Sequence, residues 1–80
     1  IEITARSTYR IRKNPGRTEF QRGILSFDEN GNAIVSPLTA QGSGILSSMT
    51  EANALIHLPE ECGEVEVGAM VRVQPFSLRV

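Results

Sequence analysis

Apolar and polar residues alternate in short stretches along this chain, and turn residues separate the stretches. Ile1 and Ile3 alternate with polar neighbours and open a strand. Tyr9 and Ile11 alternate with Arg10 and Arg12 in the same way. Asn14-Pro15-Gly16-Arg17 has the type II turn pattern, with proline holding φ at the first central position and glycine accepting positive φ at the second. A strand from Thr18 to Phe27 follows. A hairpin closed over four turn residues sets Arg12 opposite Glu19, Ile11 opposite Phe20 and Tyr9 opposite Arg22. Type II turns match hairpin twist poorly, so a bulge can shift that register. Asp28-Glu29-Asn30-Gly31 contains Asn-Gly, the strongest short hairpin signal, and Asn32 to Ser36 returns as a strand closed by Pro37.

The period changes once. After a connection from Leu38 to Gly42, Ile45, Met49 and Ala52 recur at helical spacing. Ser43 is placed to cap this segment and Asn53 to end it, which predicts one short helix near residues 44–53. So short a helix must be held by packing. Ala54 to Leu58 reads as a buried strand stopped by Pro59, and Glu60 to Glu64 as an acidic loop. Val65 to Val73 reads as strand, bend at Gly68 and strand again, with Phe76 packing at the end. The expected fold class is all-β: a small barrel or clip of five to seven short strands with one helical insertion.

Composition narrows the reading. The 80 residues make one domain, 1–80, with a core of marginal size. Hydrophobic residues are 40% of the chain, too many for disorder, and no apolar run is long enough for a spanning helix. No membrane role is expected. The chain opens on Ile1 without a signal-peptide pattern and reads as a piece of a longer protein. One cysteine, Cys62, and one histidine, His57, allow no internal disulfide and no metal site, which suits a reducing, cytoplasmic compartment. Net charge is −1, but residues 1–24 carry +4 and residues 25–80 carry −5. The basic end suits an anionic ligand and is too small and too poor in aromatics for a nucleic-acid face.

Candidate chemistry lies in two places. In Gln41-Gly42-Ser43-Gly44, two glycines flank a serine where irregular chain meets the predicted helix. Free N–H groups and the Ser43 hydroxyl there can grip an anion, or can serve only as a helix cap. The stretch lacks the Gly-Lys-Ser/Thr ending of a P-loop. Arg22 shares a face with Phe20 and Ile24 by alternation, an odd place for an arginine. It either aims a bidentate fork at a phosphate or oxyanion, or stacks on Tyr9 with its head in water. His57 reads as a packed, hydrogen-bonded residue. Glu60, Glu61, Glu64 and Glu66 read as a solvated loop, and Arg10, Arg12, Lys13 and Arg17 as a solvated hairpin tip.

These residues suggest a family. Asn14-Pro15-Gly16-Arg17-Thr18-Glu19-Phe20-Gln21-Arg22-Gly23 resembles the signature hairpin of the C-terminal domain of MoeA, the molybdopterin molybdenumtransferases. Gln41 to Ser48, followed by Ala52-Asn53-Ala54, resembles that domain's second motif. The tail from Val65 to Phe76 fits less specifically, and a similar domain closes the E domain of gephyrin. The resemblance implies an incomplete β-barrel of the β-clip type that walls one side of a substrate cleft. It implies a parent enzyme that inserts molybdate into adenylylated molybdopterin, needs Mg²⁺ and works as a homodimer with a cleft shared between subunits. It implies too that the catalytic acids lie on other domains, so that this domain is expected to hold no catalytic residue and no cofactor. Its implied substrate contacts are Arg22 and Ser43, with Gly42 and Gly44 flanking the serine. The competing expectation is an interaction module that binds a protein partner through the basic hairpin.

Overall fold

The computed structural model describes residues 1–38 and 52–76. Five strands run through it: β1 Ile3–Ser7, β2 Glu19–Phe27, β3 Ala33–Pro37, β4 Ala54–Leu58 and β5 Met70–Pro75. They close into a barrel in the order β1-β3-β2-β4-β5. The β1–β3 pair is parallel and the other pairs are antiparallel. The all-β class expected from the sequence is the class observed, and the described residues contain no α-helix. Most of the helix expected over 44–53 lies outside the described residues, and residues 52 and 53 are not helical.

Strand alternation decides what faces inward. Ala5, Val35, Ala54, Ile56, Leu58, Val71 and Val73 are buried in the core, and the residues between them on β1, β4 and β5 face out. Each Val, Ile or Leu taken fully from water stabilises the fold by roughly 1.5–3 kcal/mol. Gly23 sits where the barrel is tightest. A Cβ there would lie 2.9 Å from Ile56 Cδ1 and 3.1 Å from the Ser36 carbonyl oxygen, so the position admits no side chain without displacement.

The Asn-Gly hairpin forms as expected. Phe27 pairs with Ala33, Gly31 takes φ 86°, and the Asp28 carboxylate accepts the N–H groups of Asn30 (2.8 Å) and Asn32 (2.9 Å). The Asn32 N–H is the main reason the Asp28 carboxyl is held below its ordinary range.

The hairpin expected between Tyr9–Arg12 and β2 does not form. β2 pairs with β4 over Glu19–Gly23 and with β3 over Gly23–Phe27. Both edges of β1 are taken by β3 and β5, so the chain beyond Ser7 crosses the end of the barrel to reach β2. Along that crossing it meets the loop after β4. Ile11 and Val65 exchange backbone hydrogen bonds of 2.9 Å each. The Gly16 N–H donates to the Glu60 carbonyl at 2.7 Å. Arg10 pairs with Glu64, which pulls the Glu64 carboxyl below its ordinary range. Lys13 is no solvated tip: it is only 7% exposed, and its Nζ donates to the carbonyls of Cys62 (2.9 Å) and Asn14 (3.0 Å). A buried ammonium needs such acceptors, and the crossing loops supply them.

Candidate functional site

The site is built on β2. Gly23 is the one residue that both neighbouring strands share, facing Pro37 of β3 on one side and Ala54 of β4 on the other. β3 ends at Pro37 and β4 begins at Ala54. Both ends of the intervening chain are therefore anchored beside Gly23, one residue from Arg22. Gly42, Ser43 and Gly44 belong to that intervening chain and lie outside the described residues.

Arg22 itself is exposed on the outer face of the barrel, opposite Leu55 of β4. It keeps the company that alternation foretold: Phe20 and Ile24 share its face. That face is the outside of the barrel, so the guanidinium costs nothing in desolvation. The stack on Tyr9 does not arise, because Tyr9 lies on the crossing and not opposite β2. Among the described residues no carboxylate lies within ion-pair distance of Arg22. Arg10, by contrast, is tied to Glu64, and Arg72 lies 3.7 Å from Glu2.

One cross-strand row from Arg22, Phe20 faces His57 of β4, and His57 faces Arg72 of β5. The Phe20 and His57 rings stack, with centroids 4.9 Å apart and planes 14° from parallel. Glu2, just before β1, orients the imidazole: its Oε2 accepts from His57 Nδ1 at 2.8 Å and from Gln74 Nε2 at 2.9 Å. The Gln74 amide first, and His57 next, hold the Glu2 carboxyl below its ordinary range. His57 is thus the packed, hydrogen-bonded residue the sequence indicated, though on the outer face.

Sequence reasoning passed over Glu2 and Gly23 and took Asn53 for the end of a helix, whereas residue 53 is not helical and pairs with β2. Asn53 continues the β2 ladder where β4 has not yet begun: its Oδ1 accepts the Leu25 N–H (2.7 Å), its Nδ2 donates to the Leu25 carbonyl (3.0 Å), and its own N–H donates to the Gly23 carbonyl (3.1 Å). An Asn just before a strand in Ala52-Asn53-Ala54 is the only local sign. Glu2 is invisible without tertiary structure, since its partners lie more than fifty positions away in sequence.

A cleft of about 520 Å³ begins at His57 and Arg72 and runs past Glu61, Cys62, Glu64 and Glu66, and its lining does not include Arg22. Three carboxylates against the one guanidinium of Arg72 leave that lining net acidic. Among the described residues no group of three or more His, Cys, Asp or Glu side chains gathers to hold a metal, so this part of the domain does not fit a divalent ion. No helix among them is long and apolar enough to cross a membrane.

Comparison with known proteins gives a consistent result. The family model of the MoeA C-terminal region (domain IV) matches residues 4–76. A molybdopterin molybdenumtransferase of Haemophilus influenzae is 35% identical over 75 residues, which are 94% of this chain and 19% of that protein. A gephyrin of Dictyostelium discoideum is 38% identical over 64 residues, 79% of this chain and 9% of that one. The crystal structure of a molybdopterin biosynthesis MoeA protein from Pyrococcus horikoshii superposes with a TM-score of 0.63 at 31% identity, covering 94% of this chain and 18% of that chain. A molybdenum cofactor biosynthesis protein from Pyrococcus furiosus does so with the same TM-score and identity, covering 26% of its length. This chain spans about a fifth of the curated molybdenumtransferase it matches and less of the gephyrin.

Proposed function

The chain belongs to the family of the MoeA C-terminal region (domain IV), a domain of molybdenum cofactor biosynthesis proteins, and we propose that it walls one side of a substrate cleft in a molybdopterin molybdenumtransferase. In this reading the parent inserts molybdate into adenylylated molybdopterin, with Mg²⁺ held by other domains, as a cytoplasmic homodimer. The domain is not catalytic alone. It supplies Arg22 together with Gly42, Ser43 and Gly44 as contacts to an anionic substrate.

One observation carries the reading. Arg22 is exposed, free of carboxylate partners among the described residues, and one residue from Gly23, which faces both the end of β3 at Pro37 and the start of β4 at Ala54, the two positions that bracket Gly42, Ser43 and Gly44 in sequence. Molybdate, pyrophosphate and a pterin phosphate are all anions. A guanidinium offers them a rigid fork of donors, and backbone N–H groups with a serine hydroxyl add more. A rigid strand holds the arginine, which favours precise placement over flexible capture. Half of a shared cleft orients nothing by itself, so turnover needs the rest of the parent chain and a second subunit.

The interaction-module reading draws on a free basic hairpin at Arg10, Arg12 and Lys13. Arg10 is ion-paired with Glu64 and Lys13 is buried, so that surface is much reduced.

The test is turnover of the full-length protein carrying this domain. Arg22→Ala and Ser43→Ala are each expected to lower kcat/KM by about 10- to 100-fold, the scale of a lost charge-assisted contact. Melting temperatures should stay near wild type. Unchanged turnover in both variants would remove the assignment.

A further inference from the structure

Beside Arg22 the outer face of β2 carries an aromatic ring that no part of the anion reading uses. Phe20 is 51% exposed although it is a large apolar side chain on a strand. It is backed by the stacked His57 ring, which Glu2 fixes through Nδ1. Phe20 and Arg22 stand two residues apart on one face, which puts their Cα atoms about 7 Å apart along the strand. The half of β2 that holds them, Glu19–Arg22, pairs with β4 on one edge only, because β3 ends opposite Gly23. Among the described residues nothing pairs with the other edge. The ring is thus pre-positioned by a rigid neighbour, half open, and next to a guanidinium that has no carboxylate partner among the described residues.

We propose that Phe20, supported by His57 and Glu2, is a stacking platform for the planar heterocycle of a ligand whose phosphate or oxyanion meets Arg22. Aromatic stacking favours any flat π-system, and the adjacent cation selects one that carries negative charge. The ligand class is a heteroaromatic ring bearing an anionic group. The inference rests on the cleft reading above and deepens it. An adenylylated pterin offers two such rings, the pterin and the adenine. Glu2 and His57 are positioning residues here: they hold the platform and touch no ligand.

Titration calorimetry on the full-length protein separates the cases. Pterin-6-carboxylate, AMP and molybdate are titrated into wild type, Phe20→Leu, Phe20→Tyr and Arg22→Ala. Phe20→Leu is expected to weaken one of the two ring ligands, or both, by about tenfold, and which one weakens identifies the ring. Phe20→Tyr should restore that affinity, and molybdate binding should be the same in wild type and Phe20→Leu. The proposal is overturned if wild type binds neither ring ligand, or if Phe20→Leu binds both as wild type does. A lowered melting temperature with unchanged ring binding also overturns it, and would mark Phe20 as a packing contact within the parent. Arg22→Ala reports separately on the cleft reading: unchanged molybdate binding and turnover there would sink that reading, whereas a silent Phe20→Leu beside a defective Arg22→Ala sinks only the platform.

Discussion

The two halves of β2 share one strand and have different neighbours. Ile24–Phe27 pairs with β3, and its other edge is covered at Leu25 by the Asn53 side chain acting in place of a strand. Glu19–Arg22 pairs with β4, and its other edge has no partner among the described residues. The first half is closed by hydrogen bonds and belongs to the scaffold. The second presents Phe20 and Arg22 on its outer face, next to the positions where β3 ends and β4 begins. Gly23 stands between them, and its missing side chain lets Ile56 and the Ser36 carbonyl approach from both sides. A strand that changes partners midway leaves an edge to be satisfied on each side, and here one is capped by Asn53 while the other has no partner among the described residues.

The comparison breaks most severely at the core beneath it. Ile56→Ala removes a fully buried side chain that fills the space over Gly23, and is expected to cost about 2–5 kcal/mol by denaturant unfolding. Loss of stability in both halves would follow, since they share this contact. Gly23→Ala should cost roughly 1–3 kcal/mol, because the new methyl meets Ile56 and a backbone carbonyl at once. Adding Ile56→Val removes the closest of these atoms, Cδ1, and should return part of that cost. The Ser36 oxygen remains, so full recovery would show that the carbonyl is free to move.

Asn53→Ala sharpens the difference between the halves. It uncaps Leu25 at a solvent-exposed edge, where water can replace the amide, so a loss of about 1 kcal/mol is expected. Amide exchange should speed at Leu25, with no change at Gln21 or Arg22. The smallest effect belongs to Glu2→Gln. The Glu2 carboxyl is held below its ordinary range, so its contribution is complete above that range and is lost as pH falls through the lowered folded value. Glu2→Gln should therefore flatten the acid side of the stability profile and barely alter stability at neutral pH beyond the loss of one exposed cluster. An unchanged acid profile would show that Glu2 is not held by Gln74 and His57 in solution.

Much of the barrel was legible because alternation and turn chemistry are local. Ile3, Ile56 and Val73 lie in strands the period predicts, Asn30-Gly31 closes its hairpin, and Pro59 stops β4. The pairing of Tyr9–Arg12 with β2 was misread because adjacency in sequence stood in for adjacency in space. Nothing in that segment says that both edges of β1 are already occupied. Lys13 was misread for the same reason, since its acceptors include the Cys62 carbonyl on a loop remote in sequence. Arg22 stands out as a candidate because alternation places it among apolar residues, and the resemblance of its motif to the MoeA domain points the same way.

The sequence by itself determined the all-β class, most of the strands, the Asn-Gly hairpin and the family, since each depends on residue order within a short window. Only the tertiary structure decided that the face shared by Arg22 and Phe20 is the outside of the barrel, that Gly23 is the point where β3 gives way to β4, and that Glu2 steadies His57. Those facts depend on which strands pair across long separations, and pairing is chosen by burial of the whole core together, which no local pattern records.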